Sequence, residues 1–429
     1  MKKPILALLL MISAFSFGQK LDKKISDLSS AVESKVIEWR RDIHAHPELS
    51  NREFNTGEKI AKHLESLGIE VHTGVAKTGV VGVLKGGKPG KVVALRADMD
   101  ALPVTERVDL PFKSEVTAVF NGQTTGVMHA CGHDTHVAML MGVAEVLSKI
   151  KSDLSGTVVF IFQPAEEGAP GDEEGGAELM VKEGVLKTYK VDAIFGLHIS
   201  SGTHVGKINY KPGGALAASQ KYVIDVKGKQ AHGSTPWKSI DPIVASAEII
   251  NGLQTIISRE SELTNEAAVI TVGAIHSGIR NNIIPESAQM IGTIRTLDYD
   301  MQKKINRRMN EMVPAIAAAF GATATIDIAK GTPITYNDPD LTAKMLPTLQ
   351  KVAGADNVKL VKAITGAEDF SFYQEQIPGF FFFLGGTPLN VKESDAPSHH
   401  TPDFFIDESA MLLGVKAMSQ VAVDFLNLK

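Results

Sequence analysis

The sequence predicts an α/β fold, with a split domain on a mainly parallel sheet and an α+β unit inserted between its halves. Three observations predict it. Continuous apolar runs alternate with helical patterns before residue 213. Between residues 214 and 330 the texture changes to strands of alternating polarity with two amphipathic helices. Helical and continuous-strand patterns then return at 341–354 and 379–386.

The elements follow in order. MKKPILALLLMISAFSFGQK reads as an export leader. Lys2 and Lys3 are its charged start, and Ile5 to Phe17 form an apolar core too short to span a bilayer comfortably. Ser16 and Gly18 are small, which places cleavage after Gly18 and makes residues 1–18 a signal peptide. No cysteine near residue 19 offers a lipid attachment point. The mature protein is then periplasmic or secreted, with no membrane anchor after processing. RRDIHAHPELSNRE (40–53) reads as a helix ending at Pro47, with His44 and His46 as structural residues.

VVALRADMD (92–100), TVVFIFQPAEE (157–167) and AIFGLH (193–198) read as buried strands. HVAMLMGVAEVLSKI (136–150) is a helix between the first two. Each strand run ends in acid or histidine, so Asp98, Asp100, Glu166, Glu167 and His198 share the carboxyl edge of one sheet. Ligands gather at that edge in open α/β sheets.

The insert, residues 214–330, holds strands at 220–228, 267–275, 288–296 and 322–330. Its helices are 241–257 and 301–320, the second interrupted by Pro314. A helix at 341–354 and the strand GFFFFLGG (379–386) complete the first domain, which therefore covers 19–213 and 331–429. Lys+Arg and Asp+Glu nearly balance at 44 and 49, and no basic block suggests nucleic acid.

The chemistry centres on HACGHDTH (129–136), which contains the only cysteine, Cys131, and three histidines, His129, His133 and His136. An exported chain with one cysteine has no internal disulfide, so the thiol is unpaired or held by a metal. Cysteine and histidine are zinc-type ligands, but a site needs three or four donors. PAEEG (164–168) adds two carboxylates, FGLH adds His198, and SHHTPDFF (398–405) adds His399 and His400. Cys131, His133, Glu167, His198 and one of His399 or His400 are enough donors for two metal ions. Asp100 is a candidate to orient a ligating histidine.

The ordered set MHACGHDTHVAML, FQPAEEG, FGLH, GKQAHGSTPW, NIIP with GTIRTLD, GAEDFSFY and HHTPDFF resembles the metallopeptidase M20 family, in its amidohydrolase branch. RRDIHAHPELSNRE (40–53) also resembles a family segment, so the motifs span residues 40 to 405. The resemblance implies Cys131, His133, Glu167, His198 and His400 as metal ligands and Glu166 as general base. It implies His232 as a group that polarises the substrate carbonyl, and Asn282 and Arg295 near the substrate carboxylate. It makes the insert a lid and a homodimerisation domain. The family more often has Leu-His-Ser-Pro at the late histidine, so His399 competes with His400.

The resulting expectation is hydrolysis of N-acyl amino acids with two divalent ions per subunit. Zinc or manganese leads, with nickel or cobalt also suited to mixed S, N and O donors. A dipeptidase or carboxypeptidase using the same centre is the alternative, and a non-catalytic metal- or peptide-binding protein the third reading. Trp237 lines the lid pocket or packs beneath the lid, with packing favoured.

Overall fold

The computed structural model describes the backbone of residues 3–428 and the side chains of residues 20–428. The expected leader, residues 1–18, falls among side chains outside the described residues. Two compact units emerge, the first comprising Met1–Pro212, Asn337–Val361 and Phe372–Lys429.

The chain opens with α1 (Lys3–Ala45) and α2 (Phe54–Ser66), then β1 (Glu70–Val75), β2 (Gly79–Lys85) and β3 (Lys88–Asp98). The hairpin β4 (Thr117–Phe120) and β5 (Gln123–Gly126) leads to α3 (His133–Ser148). Next come β6 (Ser155–Gln163), short α4 (Gly176–Lys182) and α5 (Val185–Tyr189), β7 (Ala193–His204) and β8 (Ile208–Tyr210).

The second unit spans Gly213–Tyr336 and takes in Lys362–Ser371. Its elements are β9 (Gly213–Leu216), β10 (Ala218–Lys227), β11 (Ala231–His232), α6 (Pro242–Thr255), β12 (Ala268–Ser277), β13 (Ile283–Ile284), β14 (Ser287–Thr296), α7 (Tyr299–Ala319) and β15 (Thr323–Ile328). β16 (Thr335–Asn337) closes it. The chain returns with α8 (Pro339–Ala353), β17 (Val358–Leu360), α9 (Ser371–Gln374), β18 (Gly379–Thr387) and α10 (Met411–Leu426).

The first unit is built on one eight-stranded sheet, ordered β1-β2-β6-β3-β7-β18-β8-β17. Its centre, β6-β3-β7-β18, is parallel. The middle of such a sheet is covered on both faces, which is why these strands read as unbroken apolar runs. Register sets Asp98 beside Gln163 and Phe383 beside His198. The carboxyl ends of β3, β6 and β7 thus reach one edge together.

α3 is buried from His133 to Leu147, and α10 is buried along nearly its whole length. Both pack on the sheet, and α1 packs on both of them. On α1, Leu21, Ile25, Val32, Val36 and Ile43 are buried at three- and four-residue multiples, the stripe a helix needs to cover an apolar surface.

The second unit has a four-stranded antiparallel sheet, ordered β12-β14-β10-β15, with α6 and α7 as its helices. β10 alternates buried with more exposed positions, as a one-sided sheet requires. Two expectations are corrected. Pro314 does not interrupt its helix, because Met301, Ile305, Met309, Val313 and Ala317 continue one buried stripe past it. Pro314 and Asn310, whose carbonyl loses its partner, both face solvent, and packing offsets the lost bond. The insert also does not end at residue 330. Ile364 N–H donates to the Ala215 carbonyl, Ala217 N–H donates to the Gly366 carbonyl, and the Thr335 hydroxyl donates to the Glu368 carbonyl. Those bonds bring 362–371 into the second unit.

A buried charge cluster fastens α1 to the first turn of α3. Arg40 Nε donates to Asp134 at 2.7 Å, and His44 Nδ1 lies 2.9 Å from the same carboxylate. His44 Nε2 lies 3.1 Å from Glu106. His44 is therefore structural, as is exposed His46, whose Nδ1 donates to the Asp42 carbonyl. Burial pushes the His44 pKa down, but Asp134 and Glu106 outweigh it, and the net shift is upward from 6.5. The stabilisation is fully present below about pH 6.5 and fades as pH rises through the higher folded value. His44→Leu, which takes a partner from each of two buried carboxylates, is expected to cost about 3–5 kcal/mol in urea unfolding at pH 6. His44→Gln is expected to lack the wild-type decline in stability above pH 6.5.

Candidate metal centre

The first unit brings Cys131, His133, Glu166, Glu167, His198, His399 and His400 together. Cys131 and His133 flank Gly132, which precedes α3 with φ 92°. A Cβ there would come within 2.4 Å of Ile199 Cγ2. Only glycine lets the thiol and the imidazole leave that turn while β7 packs against it.

The Glu166–Glu167 turn is held by its backbone. Asp100 Oδ1 accepts from Glu166 N at 3.1 Å, and Oδ2 accepts from Glu167 N at 3.0 Å. Ser50 donates to the same carboxylate. Glu53 accepts from Ala165 N at 2.9 Å and from the Thr78 hydroxyl. Ala165 has φ 51°, a left-handed conformation costly for alanine, which such over-determined bonding sustains. Burial, with the charge of Asp100 added, pushes Glu53 up to about 7.

Hydrogen bonding aims each histidine. His133 Nδ1 donates to the Asp100 carbonyl at 2.9 Å, which leaves Nε2 facing the acid pair. That Nε2 is buried without a hydrogen-bond partner. It lies 3.8 Å from Asp98 and Glu166 oxygens and 4.0 Å from Glu167 Oε1. His198 Nδ1 donates to the Ile199 carbonyl, leaving Nε2 at 3.4 Å from Cys131 Sγ.

His399 and His400 part company here. His399 Nε2 accepts from Ser201 N at 3.1 Å, and Nδ1 lies 3.2 Å from the Cys131 carbonyl. Both its nitrogens are engaged by backbone. His400 Nε2 lies 3.2 Å from Cys131 Sγ and 3.0 Å from Glu167 Oε1. His400 has φ 63° and its N–H donates to the Ala130 carbonyl, which turns the ring inward.

The electrostatics are those of a site short of positive charge. Burial first, then Glu167, Glu166 and Asp98, pushes the Cys131 thiol well above its ordinary value. Burial disfavours charged His133, but Asp98, Asp100 and Glu167 overcome it and lift its pKa to about 10. A cation at this point reverses the thiol's preference and competes with the His133 proton. Candidate ligand atoms cluster as Cys131/Glu167/His400, His133/Glu166/Glu167 and Cys131/His198/His399, each within 4.8 Å. The partnerless His133 Nε2, the thiol and the acid pair fit divalent metal ions.

Several participants were not assigned from sequence. His136 donates through Nδ1 to Asp98 and accepts through Nε2 from Ile199 N, so it is spent on protein partners. Asp98 also takes buried Arg96. His129 is fully buried with neither ring nitrogen bonded to protein, and burial drives it down to about 3. Three histidines in one octapeptide were a signal, but spacing cannot rank them.

The second unit holds His232, Asn282 and Arg295. β11 pairs with β13, setting His232 opposite Ile283, and Gly233 N donates to the Asn282 carbonyl. His232 is exposed, with Nδ1 2.7 Å from the Ser234 hydroxyl. Arg295 is half-buried on β14, and burial lowers its pKa. Trp237 is 76% exposed, against the expectation that it packs, because the turn at Pro236–Lys238 presents it outward.

Comparison with known proteins agrees with this chemistry. The profile for Peptidase family M20/M25/M40 matches residues 94–424. The chain is 42% identical over 409 residues to Thermostable carboxypeptidase 1 of Saccharolobus solfataricus, covering 95% of this chain and 99% of that one. It is 38% identical over 397 residues to N-acetylcysteine deacetylase of Bacillus subtilis, covering 92% and 97%. The solved Bacillus subtilis YXEP protein, described as a dinuclear metal binding peptidase from M20 family, superposes with TM-score 0.77 at 36% identity, covering 92% and 99%. The chain belongs to the M20 family and is a metal-dependent hydrolase acting on amide bonds.

Gly132→Ala is expected to cost about 1–3 kcal/mol by thermal unfolding, from overpacking against Ile199 at a strained φ. Bound metal, measured after dialysis, should fall with it.

Proposed function

We propose that the protein is an exported amidohydrolase of N-acyl amino acids, working with two divalent ions held by Cys131, His133, Glu167, His198 and His400. The observation that carries this reading is the Glu166–Glu167 pair, braced by Asp100 beside the thiol and histidines. Such ions polarise a carbonyl and make water nucleophilic near neutral pH. The donor set suits zinc or manganese, with nickel and cobalt also compatible.

The chain's own groups divide the remaining work. Glu167, with Oε1 3.0 Å from His400, is engaged in the centre, so Glu166 is left to move protons. It takes the proton from the attacking water and returns it to the leaving amine. His232 stabilises the oxygen of the scissile carbonyl as charge develops there. Arg295, half-buried and cationic, suits the free carboxylate of the amino acid, and Asn282 shares that role by family resemblance. The relative named N-acetylcysteine deacetylase supports an N-acyl substrate.

A second reading keeps the same centre. A peptide's C-terminal residue also leaves as an amine bearing a free carboxylate, and the relative named Thermostable carboxypeptidase 1 favours that substrate. The charged and apolar leader supports export. Edge strands β12 and β15 of the second unit offer surfaces for a homodimer, to be checked by light scattering.

The test is amine release from benzoyl-glycine, acetyl-methionine, an indole-acetyl amino acid and several dipeptides, with zinc, manganese or neither. Release from the acylated compounds alone supports the amidohydrolase, and release from peptides alone overturns it in favour of the second reading. Glu166→Ala is expected to retain metal and lose about 10²–10⁴-fold in kcat. Wild-type turnover by that variant would remove Glu166 from the base role. His400→Ala is expected to lower metal affinity far more than His399→Ala, as read by titration calorimetry.

A further inference from the structure

A chain of buried polar groups behind the centre is left unused by the reading above. Tyr373 donates through its hydroxyl to Gln163 Oε1 at 3.1 Å, and Arg96 Nε donates to the same oxygen at 2.9 Å. Arg96 Nη1 donates to Asp98 Oδ2. His136 Nδ1 donates to Asp98 Oδ1 at 2.6 Å, and His136 Nε2 accepts from Ile199 N at 2.8 Å. Every member is buried.

The last bond explains the rest. β3 pairs with β7 only as far as Arg96 opposite Gly196, while β7 runs on to His204. Past that point the N–H of Ile199 finds its acceptor in the His136 ring, as a buried N–H must find one somewhere. Ile199 follows His198, and its carbonyl receives His198 Nδ1. One backbone unit therefore sets both the place of His198 and the direction of its Nε2, towards Cys131.

His136 is itself a plausible ligand, three residues after His133 on the same helix face, with the two rings 5.5 Å apart. Asp98 prevents this by taking its Nδ1–H, and Ile199 occupies the other nitrogen.

We infer that Asp98 and His136 are positioning residues. They fix His198 at the metal centre through the Ile199 backbone, and they hold His136 itself off the metal. This rests on the dinuclear reading given under the proposed function. It predicts that the ion sharing His198 and Cys131 depends on the chain, whereas the ion sharing His133 and Glu167 depends on it far less.

The experiment is stepwise cobalt(II) titration of the metal-stripped full chain. It is followed by calorimetry and by the near-ultraviolet absorption of the cobalt–thiolate bond. The wild type is expected to bind two ions per chain and develop that absorption. Asp98→Asn and His136→Leu are expected to bind one ion normally and the other about 10–100-fold more weakly, the usual effect of removing a partner behind a ligand, with the thiolate absorption weakened. His136→Gln, whose side-chain oxygen can still accept from Ile199 N, is expected to recover the second ion and also guards against a leucine variant that fails to fold. Two ions bound at wild-type affinity in both Asp98→Asn and His136→Leu would overturn the inference alone. Equal weakening of both ions in His136→Gln would also overturn it, since that is general damage. A wild type that binds fewer than two ions would overturn the dinuclear reading and this inference with it.

Discussion

The Asp100 carboxylate, accepting the adjacent N–H groups of Glu166 and Glu167, is the interaction on which the site depends. It converts the end of β6 into a turn with both acids presented on one side, whereas neighbouring residues of an extended strand point apart. Its own backbone carbonyl meanwhile takes the Nδ1 proton of His133 and frees that ring's Nε2. One residue just past β3 thus orients groups from β6 and from α3. Parallel register makes this possible, because Asp98 sits level with Gln163 and brings the two strand ends side by side.

The same geometry has an electrostatic consequence. Asp98, Asp100, Glu166 and Glu167 crowd a buried region whose nearby fixed cation is Arg96. The protein answers with hydrogen-bond donors at the Asp98 and Asp100 oxygens and with a histidine that attracts a proton strongly. Left-handed Ala165 and His400 carry local backbone strain on either side of the centre. Stability is supplied elsewhere, by the apolar layers of α3, α10 and α1 over the sheet. The Arg40–Asp134–His44 cluster joins that scaffold to the first turn of α3, so the fold and the site share an anchor.

Much of this was legible in residue order. The buried strands announced themselves as apolar runs, and their acid and histidine endings announced the edge where ligands gather. The two-domain division followed from the change of pattern near residue 213. The return of 362–371 to the second unit was not legible, because it is made by backbone hydrogen bonds that carry no side-chain pattern. Pro314 was misleading for a related reason, since local propensity argues for a break and a buried stripe overrides it.

Sequence by itself determined the class of fold, the family motifs and the set of residues able to hold metal. Each of those is carried by residue type and order, which apolar periodicity and donor chemistry expose directly. Tertiary structure decided which ring nitrogens of these histidines are engaged by other protein groups. His399 and His400 are adjacent and chemically identical, and His133 and His136 share one helical turn. They differ only in which backbone and carboxylate groups meet their ring nitrogens. Those partners come from Ser201, Ile199, Asp98 and Asp100, brought in by other strands and loops of the fold. A histidine's role is set by the bond at its second nitrogen, and folding supplies that bond.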